Sequence, residues 1–318
     1  MKPLNQQKEI WVLGSTGYVG AQLTKLLIQT RHKGGFLGRI STLGHRTILP
    51  WIMQNTNFFM SSLGKLQAQK FVDYPPDTVF HCARLAGRTD HSRRAAAKQG
   101  YLANVRLRSV FENLPKPPTV VYCSGTLMYG NTVAIANEEQ PLSPIAYARA
   151  YEYAERPFTR KEETQAILDV RTARPAWILG SDSWFEHYFY RPALKTGHVP
   201  YYGDGNQQMS IISLADCAGQ LLHVSTHGSR GGIYNLFGFA PISQIAFARK
   251  IGAILGLDVK QIEEKELVKK HGKTVAEALT SNTPVTTMHS AWKDSYKAVD
   301  TDLDQLITKT LNVLSERS

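Results

Sequence analysis

The sequence predicts an α/β fold: a doubly wound parallel sheet followed by a smaller, mixed C-terminal domain. Three observations predict it. A short apolar strand near the N-terminus runs through a glycine-rich turn into a helix. Apolar strands then alternate with helical segments to about residue 178, the signature of a parallel sheet with crossover helices. Beyond that point the pattern loosens into aromatic and glycine-rich stretches such as Trp184–Tyr190 and Pro200–Gly205.

The first strand is Ile10–Leu13, a short apolar run that follows Glu9 and that Gly14 ends. Past Gly20 the period changes, with Leu23, Leu26 and Leu27 at helical spacing. A strand that turns on glycines into a helix aims backbone N–H groups and the positive end of the helix dipole at one spot, which suits a phosphate. In this turn, Gly14, Ser15, Thr16, Gly17, Tyr18, Val19 and Gly20 form the candidate cradle for a dinucleotide. Gly14 and Gly17 would let backbone approach a pyrophosphate, and Gly20 would let the helix pack on the strand, as in a Rossmann-type domain.

Arg39–Leu43 is expected as the second strand, Asn57–Met60 as the third, and Asp77–Ala83 as the fourth, introduced by Pro75-Pro76. A helix through Asn104, Leu107 and Phe111 leads to the most apolar strand, Thr119–Cys123. The nucleotide domain is expected over residues 1–178 and the substrate domain over 179–318, with segments around 205–240 free to return to the first sheet, Gly232–Leu236 among them. Two later helices read cleanly. One is capped by Ser243 and ended by Gly256; the other carries Leu303, Leu306, Ile307, Leu311 and Leu314.

Composition narrows the function classes. Hydrophobic residues make up 42% and charged residues 20%, ordinary for a soluble globular protein. No apolar run approaches the ~18–20 residues that cross a bilayer, and Met1–Lys8 lacks an apolar signal core. Cys82, Cys123 and Cys217 fit no disulfide framework and no paired metal-ligand spacing, so no metal is expected and a cytoplasmic compartment is the default. Net charge is +11, from 37 basic and 26 acidic residues. Basic residues come in short runs such as Arg93-Arg94 and Lys269-Lys270, which favours an anionic small molecule over nucleic acid.

The order of motifs resembles the extended branch of the short-chain dehydrogenase/reductase family, the epimerases and dehydratases of sugar nucleotides. The resemblance spans nearly the whole chain. It rests on the Gly14–Gly20 turn, His81-Cys82-Ala83-Arg84 where the family has His-x-Ala-Ala, Asn104-Val105, and Ser124–Gly130. It continues through Glu139-Gln140-Pro141 ahead of Tyr147, Arg174–Gly180, and Ser213-Leu214-Ala215-Asp216. It implies a nicotinamide cofactor held by the turn and by Ser62, Leu63, Cys82, Ala83, Arg84, Cys123, Tyr147, Pro175 and Ile178. It also implies a homodimer built on two helices, one containing Tyr147; the polar stretches Lys98–Leu102 and Arg149–Tyr151 leave that open.

The chain departs from the family where catalysis is expected. The family's Tyr-x-x-x-Lys helix reads Tyr147 and Tyr151 here, with Glu155 a turn further on. The catalytic Ser/Thr position is Gly125; Ser124 and Thr126, which flank it, are the candidate catalytic hydroxyls, although alternation along a strand would point both to the opposite face unless the register shifts. A phenol titrates near ~10 in water, and the family's lysine is the nearby charge that makes it a base near neutrality. With a tyrosine in the lysine's place, Tyr147 is expected to donate a proton in a reduction rather than serve as a base.

The acid that would bind a ribose 2′-hydroxyl is also absent from Leu43–Thr47. His45 and Arg46 stand there and suit a 2′-phosphate, so NADP is expected rather than NAD. Ser62 replaces the acid that in the family faces the adenine. Gly125, Tyr151 and His187 are candidate substrate contacts, and Arg84 and Arg88 candidate anchors for an anion. Two functions remain open. One is an NADP-dependent reductase or isomerase acting on a carbonyl, enone or sugar-like substrate, with Tyr147 as proton donor. The other is a non-catalytic NADP-binding sensor or assembly protein.

Overall fold

The computed structural model describes residues 8–36, 38–85, 87, 89–159 and 167–317. Arg88 and the first seven residues, including most of the segment read for a signal core, lie outside them. The strands are β1 Lys8–Leu13, β2 Gly38–Gly44, β3 Asn57–Met60, β4 Thr78–His81, β5 Thr119–Cys123, β6 Asp169–Pro175, β7 Trp177–Leu179, β8 His198–Tyr202, β9 Gln208–Met209, β10 Ile211–Ser213, β11 Ile233–Leu236, β12 Ile242–Ser243 and β13 Asp258–Ile262. The helices of the first half are α1 Tyr18–His32, α2 Pro50–Asn55, α3 Gln69–Asp73, α4 Asp90–Glu112 and α5 Ala146–Thr159.

The chain divides into two compact units. One comprises residues 1–124, 150–173 and 218–234; the other comprises 125–149, 174–217 and 235–318. The first unit is organised by a seven-stranded sheet of order β11-β6-β5-β4-β1-β2-β3, whose pairings from β6 across to β3 are all parallel. Gly232–Leu236 does return to this sheet as its edge. Burial on both faces explains why the central strands read as apolar runs: Trp11, Val12, Leu13, Val79 and Val120 are all fully buried. Trp11 stacks on Phe59 and also packs against Phe71, in a cluster with Leu107, Phe111, Val120 and Phe158.

Strand order reverses between β1 and β4, the place in an open parallel sheet where ligands bind beyond the strands' carboxyl ends. Two segments leave the sheet at that point: the Gly14 turn after β1 and Cys82–Arg84 after β4.

The second unit is mixed. It holds three two-stranded sheets, β10-β7 and β13-β8 parallel and β12-β9 antiparallel. Its core gathers Phe185, Phe189, Tyr202, Phe247, Ile251, Ile307 and Leu311. The two helices expected there form at Gln244–Leu255 and Leu303–Ser315. Ser243 accepts from the Ala246 N–H, Gly256 ends the first helix in the left-handed region, and Asp302 caps the second.

Candidate functional site

The glycine turn is held by backbone contacts that side chains would disrupt. Gly14 adopts φ +83°, and a Cβ there would lie 2.7 Å from the backbone N and Cα of Ala83. A Cβ on Gly20 would collide with the Gly14 carbonyl oxygen, so α1 packs directly on the turn. The Gly14 and Ser15 N–H groups both bond the Leu43 carbonyl at 3.0 Å, which ties the turn to β2. Gly17 caps α1 without a side-chain bond, so the cap residue itself occupies none of the helix's first N–H groups. Ser15 Oγ is buried without a partner among the described residues. A phosphate oxygen above α1 would accept from such N–H groups and from a hydroxyl. The turn fits a pyrophosphate.

His45 and Arg46 are exposed immediately after Gly44, and a Cβ on Gly44 would lie 2.9 Å from the Thr16 methyl. The basic pair therefore follows directly on Gly44, the β2 residue that packs against Thr16 of the glycine turn. Ser62 is half-buried at the start of a 3-10 turn after β3, and Leu63 behind it is buried.

Beyond β4, His81 is buried and shares a 2.9 Å hydrogen bond with Asn104 Oδ1. The Asn104 amide donates to the Ala154 carbonyl of α5 at 2.8 Å. One asparagine of α4 therefore fixes α5 against β4. Burial pushes His81 down to about 4, so it is neutral in the folded state. Unfolding releases it to its ordinary value near 6.5, so the unfolded chain binds the extra proton between those limits. Stability is accordingly expected to fall as pH drops from 6.5 toward 4, by up to about 3 kcal/mol from this group. Urea midpoints across that range should show a shallower loss in His81→Gln than in the parent.

The position where the family carries lysine is Tyr151, which is buried. Its ring carries a guanidinium: Arg84 Cζ lies 4.1 Å from the Tyr151 centroid. In the sequence Arg84 closes a motif that carries the resemblance, at a position where the family has alanine, and Tyr151 is a departure where the family has lysine. The structure brings them together, so a positive charge stands beside this stretch of helix by another route. The signal available in the sequence was that Arg84 and Tyr151 both stand where the family has a different residue. Tyr147 is half-buried one turn before Tyr151 on α5.

Ser124 and Thr126 do not alternate along a strand. β5 ends at Cys123, Gly125 is extended at φ 178°, and Thr126–Met128 forms a 3-10 turn. No strand alternation governs these residues. Ser124 Oγ is buried without a partner among the described residues, and Thr126 is also buried.

Several other motif residues serve as anchors. Tyr129 accepts from Arg174 Nη1 and donates to Asn235 Oδ1, both at 2.8 Å. Glu138, which sequence reasoning passed over for its neighbour Glu139, is buried and accepts from the Asn235 N–H, the Thr287 hydroxyl and the Met288 N–H. Asp216 accepts from Ser213, Tyr296, Val299 and Asp300. Pro175 ends β6 and is buried; Ile178 lies in β7. His187 is exposed on a π-helical turn. Among the described residues, no group of three or more His, Cys, Asp or Glu side chains is placed to hold a metal, and no helix is long and apolar enough to cross a membrane.

Comparison with known structures gives the same fold. The dTDP-glucose 4,6-dehydratase of Bacillus anthracis in complex with NAD superposes with a TM-score of 0.76 at 16% identity, covering 97% of each chain. The UDP-glucuronic acid 4-epimerase of Bacillus cereus, in complex with UDP-glucuronic acid and NAD, gives 0.76 at 16% identity over 98% of this chain and 100% of its own. A human epimerase family protein with NADPH gives 0.75 at 17%, over 96% and 99%. No curated protein matches the sequence. The model of the NAD dependent epimerase/dehydratase family matches residues 10–236, most of the chain. This protein belongs to the NAD dependent epimerase/dehydratase family.

Proposed function

We propose that this chain is an NADP-dependent oxidoreductase, a reductase or isomerase acting on a carbonyl, enone or sugar-like substrate. The observation that carries the reading is the glycine turn, a backbone cradle beside the point of strand-order reversal, with a basic pair at the end of β2. In this reading Gly14–Gly20 hold the pyrophosphate, and Arg46 with His45 holds the 2′-phosphate through charge-assisted bonds. The chemistry that bound NADP supplies is hydride exchange.

The protein's own part is to bind, orient and move a proton. Tyr147 gives its phenolic proton to the substrate oxygen. Ser124 and Thr126 take over the hydrogen bonding that Gly125 cannot provide. Arg84, held on the Tyr151 ring, supplies the fixed positive charge that the family obtains from lysine. The charge also suits an anionic substrate group.

The test is purified protein with NADPH and a panel of aldehydes, ketones, enones and nucleotide sugars, followed by loss of reduced-cofactor absorbance. Turnover with NADPH supports the reading. The glycine at the catalytic Ser/Thr position favours one rival, a cofactor-binding protein without catalysis. That rival predicts thermal stabilisation by NADPH and no turnover with any member of the panel. Removing one charge-assisted contact costs about 1.5–3 kcal/mol. Arg46→Ala should therefore weaken NADPH binding by roughly 10–100-fold and leave NADH binding unchanged, as read by calorimetry.

A further inference from the structure

Cys82 and Cys123 are thiols that follow one another across the sheet. The β4–β5 register runs from Thr78 opposite Thr119 to His81 opposite Tyr122, so the next pair is Cys82 and Cys123. Adjacent strands lie about 4.8 Å apart, and a disulfide joins Cα atoms about 4.4–6.8 Å apart. Opposite residues of a parallel pair also project to the same face. Both residues are half-buried at the carboxyl ends of their strands. The third cysteine, Cys217, is fully buried.

We propose that Cys82 and Cys123 form a peroxide-sensitive dithiol that closes reversibly to a disulfide across the ends of β4 and β5. Cys123 is the attacking group. The Cys82 thiol donates a hydrogen bond to its sulfur and, with the Arg84 charge nearby, holds Cys123 below the ordinary thiol range against the opposing effect of burial. The Cys123 thiolate attacks one oxygen of hydrogen peroxide, breaking the O–O bond and giving a sulfenic acid and hydroxide. Cys82 sulfur then attacks the Cys123 sulfur, its proton leaving with the departing hydroxide as water. Two thiols and one peroxide become one disulfide and two waters, with two electrons passing to the peroxide.

The pair sits against the cradle. Cys82 N–H bonds the Leu13 carbonyl at 2.9 Å, and Ala83, the next residue, is the backbone on which Gly14 packs. Drawing Cys82 toward Cys123 pulls on that contact, so the oxidised protein binds dinucleotide more weakly. This consequence, unlike the disulfide itself, rests on the proposed function.

The test treats the full-length reduced protein with hydrogen peroxide, blocks remaining thiols with N-ethylmaleimide, and maps peptides by mass. The expected result is a Cys82–Cys123 linked peptide, Cys217 still alkylatable after unfolding, and full reversal by dithiothreitol. In Cys82→Ser, Cys123 should stop at a sulfenic acid that dimedone traps; in Cys123→Ser, Cys82 should stay reduced over the same interval. Both cysteines remaining alkylatable, or Cys123 passing to sulfinic acid without a linked peptide, overturns the proposal. NADPH titration of reduced and oxidised protein is read separately. Weaker binding after oxidation supports the coupling, and equal binding removes it while leaving the disulfide. No binding by the reduced form counts against the proposed cofactor instead.

Discussion

Gly14→Ala is expected to weaken NADPH binding by ~100-fold or more while leaving a folded protein. Two costs meet at this position. The φ of +83° is a conformation that an alanine adopts only with strain, of order 1–3 kcal/mol. The added Cβ would also lie 2.7 Å from the Ala83 backbone, which cannot rotate away as a side chain would. Relief requires the turn to move from β4, and that displaces the N–H groups at the start of α1 from the geometry a pyrophosphate needs. A loss of ~100-fold or more follows from a shift costing about 3 kcal/mol at the phosphate. The measurement is thermal shift and calorimetry with NADPH, with far-UV circular dichroism to verify the fold. Unchanged affinity in a folded Gly14→Ala variant would mean that the dinucleotide, if bound, does not use this turn. A Gly34→Ala control, also at positive φ but with open space around its Cβ, separates backbone strain from loss of the cradle.

The same contrast explains what the sequence made legible. Strands buried on both faces must be apolar throughout, so β1 and β5 stood out as runs. Glycines forced by a left-handed turn or by backbone contact stood out as a motif. Helix ends were legible at Ser243 and Gly256 because capping is local chemistry. Contacts between residues far apart in the chain were not legible. Nothing local says that the Arg84 guanidinium rests on the Tyr151 ring, or that Glu138 rather than Glu139 is the buried carboxylate tying Asn235 to Thr287. Ser124 and Thr126 escape strand alternation for a related reason. β5 does not continue past Cys123, because the backbone turns there into a 3-10 segment.

Tyr147→Phe is expected to lower kcat/KM by ~10²–10⁴-fold, the range associated with losing a positioned proton donor. The substitution removes one oxygen and keeps the ring, so the packing of α5 and the fixing of Ala154 by Asn104 should persist. NADPH affinity should therefore change little, and the loss should appear in kcat more than in KM. Arg84→Gln tests a different element of the same reading. It removes the charge and keeps a planar polar head on a shorter side chain, so the loss reports the guanidinium on the Tyr151 ring. Because Arg84 touches Tyr151 and Tyr147 lies one turn away, the charge acts at a distance and its loss should be smaller than that of the phenol. Full activity in Tyr147→Phe would place the proton donor elsewhere and remove the case for a tyrosine mechanism. Inactivity in Arg84→Gln with full activity in Tyr147→Phe would instead make the arginine the direct contact to an anionic substrate.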